Sequence, residues 1–229
     1  MAMHLNRYLA LSIVVLLSLA LWRPALAHNG KTAYAIPLKD IVLDGKLDDW
    51  PVEMAQYPVE WLFPYWNPAP PDGPEDFTAG FRVGYDLQNQ VFYVAVVVRD
   101  EDLVVNPEAP KIYNQDVVGL LVDADHSGGD NALEPKEAQF YLMAPEPDLV
   151  GDEIDGNPGL YGGQTSNSGI EAAFLRSGQT TVYEWAIPLL ASFPDKRLQI
   201  EPGKTIGFDM AIGDVDGEAQ FIYLDDLGC

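Results

Sequence analysis

Beyond residue 30 the apolar positions recur with a period of two rather than 3.6. Phe81, Val83 and Tyr85 alternate with Arg82 and Gly84, Asp86-Leu87-Gln88-Asn89-Gln90 offers a turn, and Val91 to Val98 is an unbroken apolar run closed by Arg99-Asp100. A strand apolar on both faces belongs in the middle of a layered structure, where both faces are covered. Val117 to Val122 (VVGLLV) predicts a second central strand and Gln139 to Met143 a third. Ile170 to Leu175 and Thr181 to Ile187 flank Ser177-Gly178 as a hairpin. Ile206, Phe208, Met210 and Ile212 alternate with Gly207, Asp209 and Ala211, a strand with one buried face, and Gln220 to Leu224 is the last strand. No stretch of about ten residues carries apolar side chains at i, i+3, i+4 and i+7, and prolines recur throughout, so helices are minor. The expected fold is therefore all-β, a two-sheet antiparallel β-sandwich of jelly-roll-like type rather than a parallel βαβ architecture. Residues 64–75 and 144–168, rich in Pro, Gly, Asp and Asn, are long loops of the kind that carry function.

The first residues follow a different pattern. Residues 1–8 contain Arg7 and no acid, Leu9 to Leu21 carry no charge, and Ala25-Leu26-Ala27 presents small residues where a signal peptidase reads. The apolar run is shorter than the roughly 20 residues that span a bilayer, and Trp22-Arg23-Pro24 ends it. The pattern predicts a signal peptide over 1–27 and a single domain over 28–229. Its product is exported, periplasmic or extracellular, with no membrane association after cleavage and no lipid attachment at His28.

Composition narrows the partners. A net charge of −22, from 13 basic and 35 acidic residues, argues against nucleic acid and anionic membranes, both of which call for a basic face. With 48% hydrophobic and 11% aromatic residues the chain buries a core, so the acidity belongs to a folded surface. The one cysteine, Cys229, closes no internal bridge and leaves an intermolecular disulfide as its pairing option. Clustered Cys/His zinc sites are excluded with it.

The sharpest local chemistry is Asp123-Ala124-Asp125-His126-Ser127-Gly128-Gly129-Asp130-Asn131-Ala132-Leu133-Glu134. Counted from Asp123, side-chain oxygens of Asp125, Ser127, Asn131 and Glu134 follow at calcium-loop spacing, with the Gly129 carbonyl between them and Gly128 at the turn. A strand enters where a helix–loop–helix hand has a helix, and a solvated acidic turn is the competing reading. Asp214-Val215-Asp216-Gly217-Glu218 is a shorter acidic turn. Glu184, inside an apolar strand, requires hydrogen-bond partners or a cation, and a hydrogen-bonded structural role is the expected one.

Five stretches in order carry a resemblance: Ile41-Val42-Leu43-Asp44-Gly45 with Asp48-Asp49-Trp50; Val83-Gly84-Tyr85-Asp86 leading to Phe92-Tyr93-Val94-Ala95-Val96 and Asp100; Asp116-Val117-Val118 to Leu121-Val122-Asp123; Tyr183-Glu184-Trp185-Ala186-Ile187-Pro188; and Gly207-Phe208 through Asp214-Val215-Asp216. Together, over about residues 36–224, they resemble family 9 carbohydrate-binding modules. The resemblance implies an opening strand and turn at 41–50, a β-sandwich with bound calcium, and a sugar held on aromatic side chains, in a module that usually accompanies a polysaccharide-degrading enzyme. The same fold group includes haem-binding sandwich domains, so the fold alone does not name a ligand.

Neutral sugars present apolar C–H faces and hydroxyl rims, which aromatic rings and amide or carboxylate groups respectively match. Trp61, Tyr65, Trp66 and Asn67 supply both, among prolines 64, 68, 70 and 71 that restrict the backbone. Core packing at the end of a strand is the alternative for Trp61; Trp50 and Trp185 are expected in the core. The expected function is a non-catalytic module binding an oligo- or polysaccharide, with no catalytic residues assigned. Other chemistries have less behind them. No carboxylate pair singles out a glycosidase. His28, freed by cleavage, and His126 would form a two-histidine copper site like that of polysaccharide monooxygenases, without any other motif of that family. Haem would require Met54, Met143 or Met210 with one of those histidines, and no Cys-x-x-Cys-His exists.

Overall fold

The computed structural model describes residues 31–59, 62–63, 71–105, 115–126, 139–143, 169–192, 196–216 and 219–225, and among them every regular element is a strand. The first sheet is built on β4 (Phe77–Asp86), β5 (Val91–Asp100), β9 (Thr180–Ile187) and β8 (Glu171–Ser177), in that order. The short strands β1 (Ile36–Pro37) and β2 (Tyr57–Val59) share the remaining edge of β4. The second sheet runs β3 (Leu62–Phe63), β13 (Ala219–Asp225), β12 (Gly207–Asp216), β6 (Val117–Asp123), β7 (Gln139–Met143). Two short strands, β10 (Leu190–Ser192) and β11 (Lys196–Arg197), pair with each other. Every ladder is antiparallel except the two-residue pairing of β1 with β4. Hairpin β4–β5 lies in the first sheet, β6–β7 in the second, β8–β9 in the first and β12–β13 in the second, so the chain shuttles between layers as a β-sandwich requires.

Alternation fixes which side chains meet between the layers. Phe81 and Val83 of β4, Val94 and Val96 of β5, and Phe174 and Trp185 of β8 and β9 face Val118, Leu120, Val122, Met210 and Ile212 of the second sheet in one buried cluster. Phe208 packs tilted on Phe81 at 5.6 Å and edge-on to Phe92 at 5.8 Å. Trp185 is wholly buried.

The unbroken apolar run of β5 has a second cause. Its outward residues Tyr93 and Ala95, with Ala186 of β9, are covered by the segment 36–54, which lays Leu38, Trp50 and Met54 on them and packs Ile41, Leu43 and Leu47 alongside. The Trp50 ring meets Tyr93 edge-on at 6.5 Å. Gly84 lies directly under this strap, since a Cβ there would sit 2.2 Å from Leu38 Cδ1.

The strap corrects one expectation. Residues 41–50 form bends and no strand. The backbone donors that a ladder would use go to side-chain acceptors instead: Val42 N–H to Asp49 Oδ2 at 2.6 Å, and Asp44 and Gly45 N–H to the carboxylate of Glu184. Gly45 makes the close approach at φ 72°, where a Cβ would lie 2.3 Å from Leu175 N.

Candidate functional site

Of the sugar-site residues, Trp61, Tyr65, Trp66 and Asn67 lie outside the described residues. What is described is the backbone of two neighbours: Leu62 pairs with Tyr223 and Phe63 with Ile222, so β3 is an edge strand of the second sheet. Along the same cross-strand row stand Gly213 and Val117.

The acidic loop is described only at its start. Asp123, at the end of β6, is buried, and its carbonyl accepts the N–H of His126 at 3.3 Å. Asp125 and His126 are exposed, His126 with φ 55°. Ser127, Gly129, Asn131 and Glu134 lie outside the described residues, as do His28 and Cys229.

Glu184 shows how a charge is accommodated in an apolar strand. Its side chain is fully buried on the outer face of the first sheet. Oε2 accepts the N–H groups of Gly45 at 2.7 Å and Asp44 at 3.0 Å, and Oε1 accepts the indole N–H of Trp50 at 2.7 Å. Burial pushes the carboxyl up to about 7, against the pull of those three donors and with the Asp49 carboxylate adding to the rise. The carboxylate binds the strap to the sheet, which is a structural task.

A second acidic constellation was not assembled from the sequence. Asp100 ends β5, Asp116 precedes β6 and Asp214 lies near the end of β12, and they are 4%, 5% and 2% exposed. One carboxylate oxygen from each comes within 4.8 Å of the others. Oxygens sharing one calcium ion lie no more than about 5 Å apart, twice the metal–oxygen distance, so this donor set fits calcium. The carboxylates are held in place by backbone donors. Asp116 Oδ1 accepts Val215 N–H at 2.9 Å and its Oδ2 accepts Val104 N–H at 2.7 Å, while Asp100 Oδ1 accepts Asp102 N–H at 3.0 Å. Arg176 lines the same cavity and donates to the Asp100 carbonyl at 2.8 Å and the Thr181 hydroxyl at 3.2 Å, both neutral acceptors. The sequence signal was an acid at the end of three central strands, in Arg99-Asp100, Gln115-Asp116 and Gly213-Asp214. Nothing in the sequence said that those ends converge.

Comparison with known proteins agrees with the architecture. A family model described as "Carbohydrate family 9 binding domain-like" matches residues 43–222. Among solved structures, a family 9 carbohydrate-binding module from Caldicellulosiruptor kristjanssonii in complex with cellotriose is similar, with a TM-score of 0.56 at 15% identity over 84% of this chain and 83% of that one. The same organism's family 9 module in complex with glucose gives 0.56 at 15% identity over 85% and 87%. Among curated proteins the sequence has no match. The family model spans both sheets, from the strap's Leu43 to Ile222 of β13, and the chain belongs to the family 9 carbohydrate-binding domain-like proteins.

Proposed function

We propose that this chain is an exported, non-catalytic carbohydrate-binding module that holds a neutral glycan on aromatic side chains and carries structural calcium. The family match over 43–222 carries this reading. The similar structures with cellotriose and glucose bound make β-glucan oligosaccharides and glucose the first probes. Trp61, Tyr65 and Trp66 would stack on sugar faces and Asn67 would hydrogen-bond hydroxyls. The leader pattern over 1–27 supports export. The calcium reading draws on the oxygen-only spacing of Asp123, Asp125, Ser127, Gly129, Asn131 and Glu134 and on the carboxylates of Asp100, Asp116 and Asp214. Bound calcium would neutralise buried acid and tie strand ends together.

The test is Trp66→Ala, measured for both melting and binding to cellotriose, glucose and a wider panel of soluble and insoluble glycans. Lost binding with unchanged melting supports the assignment. A loss of about 3 kcal/mol or more of stability places that ring in the core instead.

A further inference from the structure

The strap is tied at both ends to β4, by β1 on one side and β2 on the other, and has no ladder between them. Leu38 N–H still reaches the Tyr85 carbonyl at 2.8 Å, but beyond it the backbone bonds turn back into the strap, Trp50 N–H to the Leu47 carbonyl at 3.3 Å and Met54 N–H to that of Pro51 at 2.9 Å. Among the described residues, every hydrogen bond from 39–54 to the sheet ends on one side chain, Glu184: Asp44 and Gly45 N–H on Oε2, the Trp50 indole on Oε1. The rest of the contact is apolar, with Trp50 and Met54 on Tyr93, Ala95 and Ala186. A segment joined to the core by so few backbone bonds opens separately from it.

The single latch sits in an acidic setting. Oε2 accepts two N–H groups and is filled, while Oε1 accepts one and keeps a lone pair that a proton can take. Asp49, whose Oδ2 accepts Val42 N–H, has its Oδ1 buried with no donor among the described residues, so a second carboxylate oxygen lies uncompensated in the same interface. The other charged or titratable groups here are Asp44, Lys46 and Asp48 of the strap, Arg82 of β4 in the cross-strand row of Ala95 and Glu184, Tyr93 of β5, and Glu171 of β8 beside Ala186. Neither cation pairs with Glu184, since Lys46 is exposed and bound to Asp44 at 2.8 Å and Arg82 reaches Gln56 at 3.5 Å. Burial, with the Asp86, Glu171 and Asp49 carboxylates, pushes the Tyr93 hydroxyl up and keeps it neutral. For Glu184 burial outweighs the three donors and raises the carboxyl from 4.5 to about 7, so docking takes up a proton and undocking releases it.

We propose that the strap is a proton-gated cover: it lies on the first sheet while Glu184 carries a proton on Oε1, and loss of that proton shifts it toward an open loop that stays tied at β1 and β2 and bares Tyr93, Ala95 and Ala186. The open strap returns Glu184 to water, where the carboxyl ionises from 4.5 upward, so opening grows with pH from there and levels off above about 7. The gate stands apart from the glycan and calcium readings, because every group in it belongs to the strap or the first sheet.

Native-state hydrogen exchange on the purified protein, corrected for the intrinsic pH dependence of exchange, reads the gate at the Asp44 and Gly45 amides and the Trp50 indole, with Val94 and Val96 of β5 as core references. Protection of the strap protons should fall about tenfold or more between about pH 5 and about pH 7.5, and low urea should leave their exchange unchanged while it speeds that of Val94 and Val96. Glu184→Gln, checked for cooperative melting, should show no such fall. Asp49→Asn keeps an acceptor for Val42 and removes the neighbouring charge, so its fall should be smaller. Strap exchange that follows the urea dependence of the core overturns the gate, because the strap then opens only when the whole domain unfolds. Protection that is flat with pH, or that falls equally in Glu184→Gln, overturns it too. Should Glu184→Gln fail to fold, Asp49→Asn decides alone, and an undiminished fall there refutes the proposal.

Discussion

Removing the carboxylate of Glu184 tests how the strap is held. Glu184→Ala leaves three donors without their acceptor: the N–H groups of Asp44 and Gly45 and the indole N–H of Trp50. An orphaned buried donor costs about 1–3 kcal/mol, and the Asp44 amide, at the margin, recovers a water. The expected loss is therefore about 3–5 kcal/mol, in the range found when one side of a buried charged network is removed. Glu184→Gln keeps the shape but turns an amide NH₂ toward N–H donors, for a loss of about 1–3 kcal/mol. The two variants also separate in their pH dependence. A carboxyl raised from 4.5 to about 7 holds its proton more tightly in the folded chain. Its favourable contribution is complete below pH 4.5 and is lost as the pH rises through 7, by up to about 3 kcal/mol, an upper figure because three donors favour the charged form. Urea unfolding of wild type and Glu184→Gln at several pH values between 4.5 and 8 isolates this group, since the other acids cancel in the difference. The wild type should lose stability relative to Glu184→Gln as pH rises across that window. A Glu184→Ala loss below about 1 kcal/mol, or parallel pH curves, would refute the reasoning.

Other outcomes follow from the same packing. Gly45→Ala should cost about 2 kcal/mol or more, because φ 72° disfavours a side chain and its Cβ would strike the backbone of Leu175; denaturant melts read it directly. Trp185→Ala, at a position with no solvent exposure, should cost about 3–5 kcal/mol, whereas truncating Val52, which is 91% exposed, should change stability by less than about 0.5 kcal/mol. Trp50→Phe keeps an aromatic ring against Tyr93 but removes the donor to Glu184, and should cost about 1–2 kcal/mol and increase amide exchange at Asp44 and Gly45.

The central layers were readable from the sequence because their physics is local. Val91 to Val98 is apolar at every position, and β5 lies between β4 and β9 with both faces covered. Ser177-Gly178 marked a hairpin, and Gly178 takes the positive φ that such a turn uses. The opening strand that the resemblance implied within 41–50 is not formed, because Ile41 and Leu43 serve packing while the backbone donors go to side chains: Val42 N–H to nearby Asp49, and those of Asp44 and Gly45 to Glu184, some 140 residues away. Glu184 itself was rightly expected to have partners, though Trp50 and the Asp44-Gly45 amides were not identifiable as those partners. The carboxylates of Asp100, Asp116 and Asp214 escaped for the same reason. Three acids at strand ends are unremarkable until register and the crossings between sheets bring them within reach of one ion. The short strands β1, β2, β3, β10 and β11, each of two or three residues, are too brief to show any period.

The central claim is glycan recognition, and the most direct measurement is titration calorimetry of the folded wild-type protein against the saccharide panel named above. The account predicts saturable binding to at least one neutral oligosaccharide, with a negative heat-capacity change as sugar faces leave water for aromatic rings, and its loss in Trp66→Ala at unchanged melting temperature. Heats indistinguishable from dilution for every glycan, from protein that melts cooperatively, would contradict it.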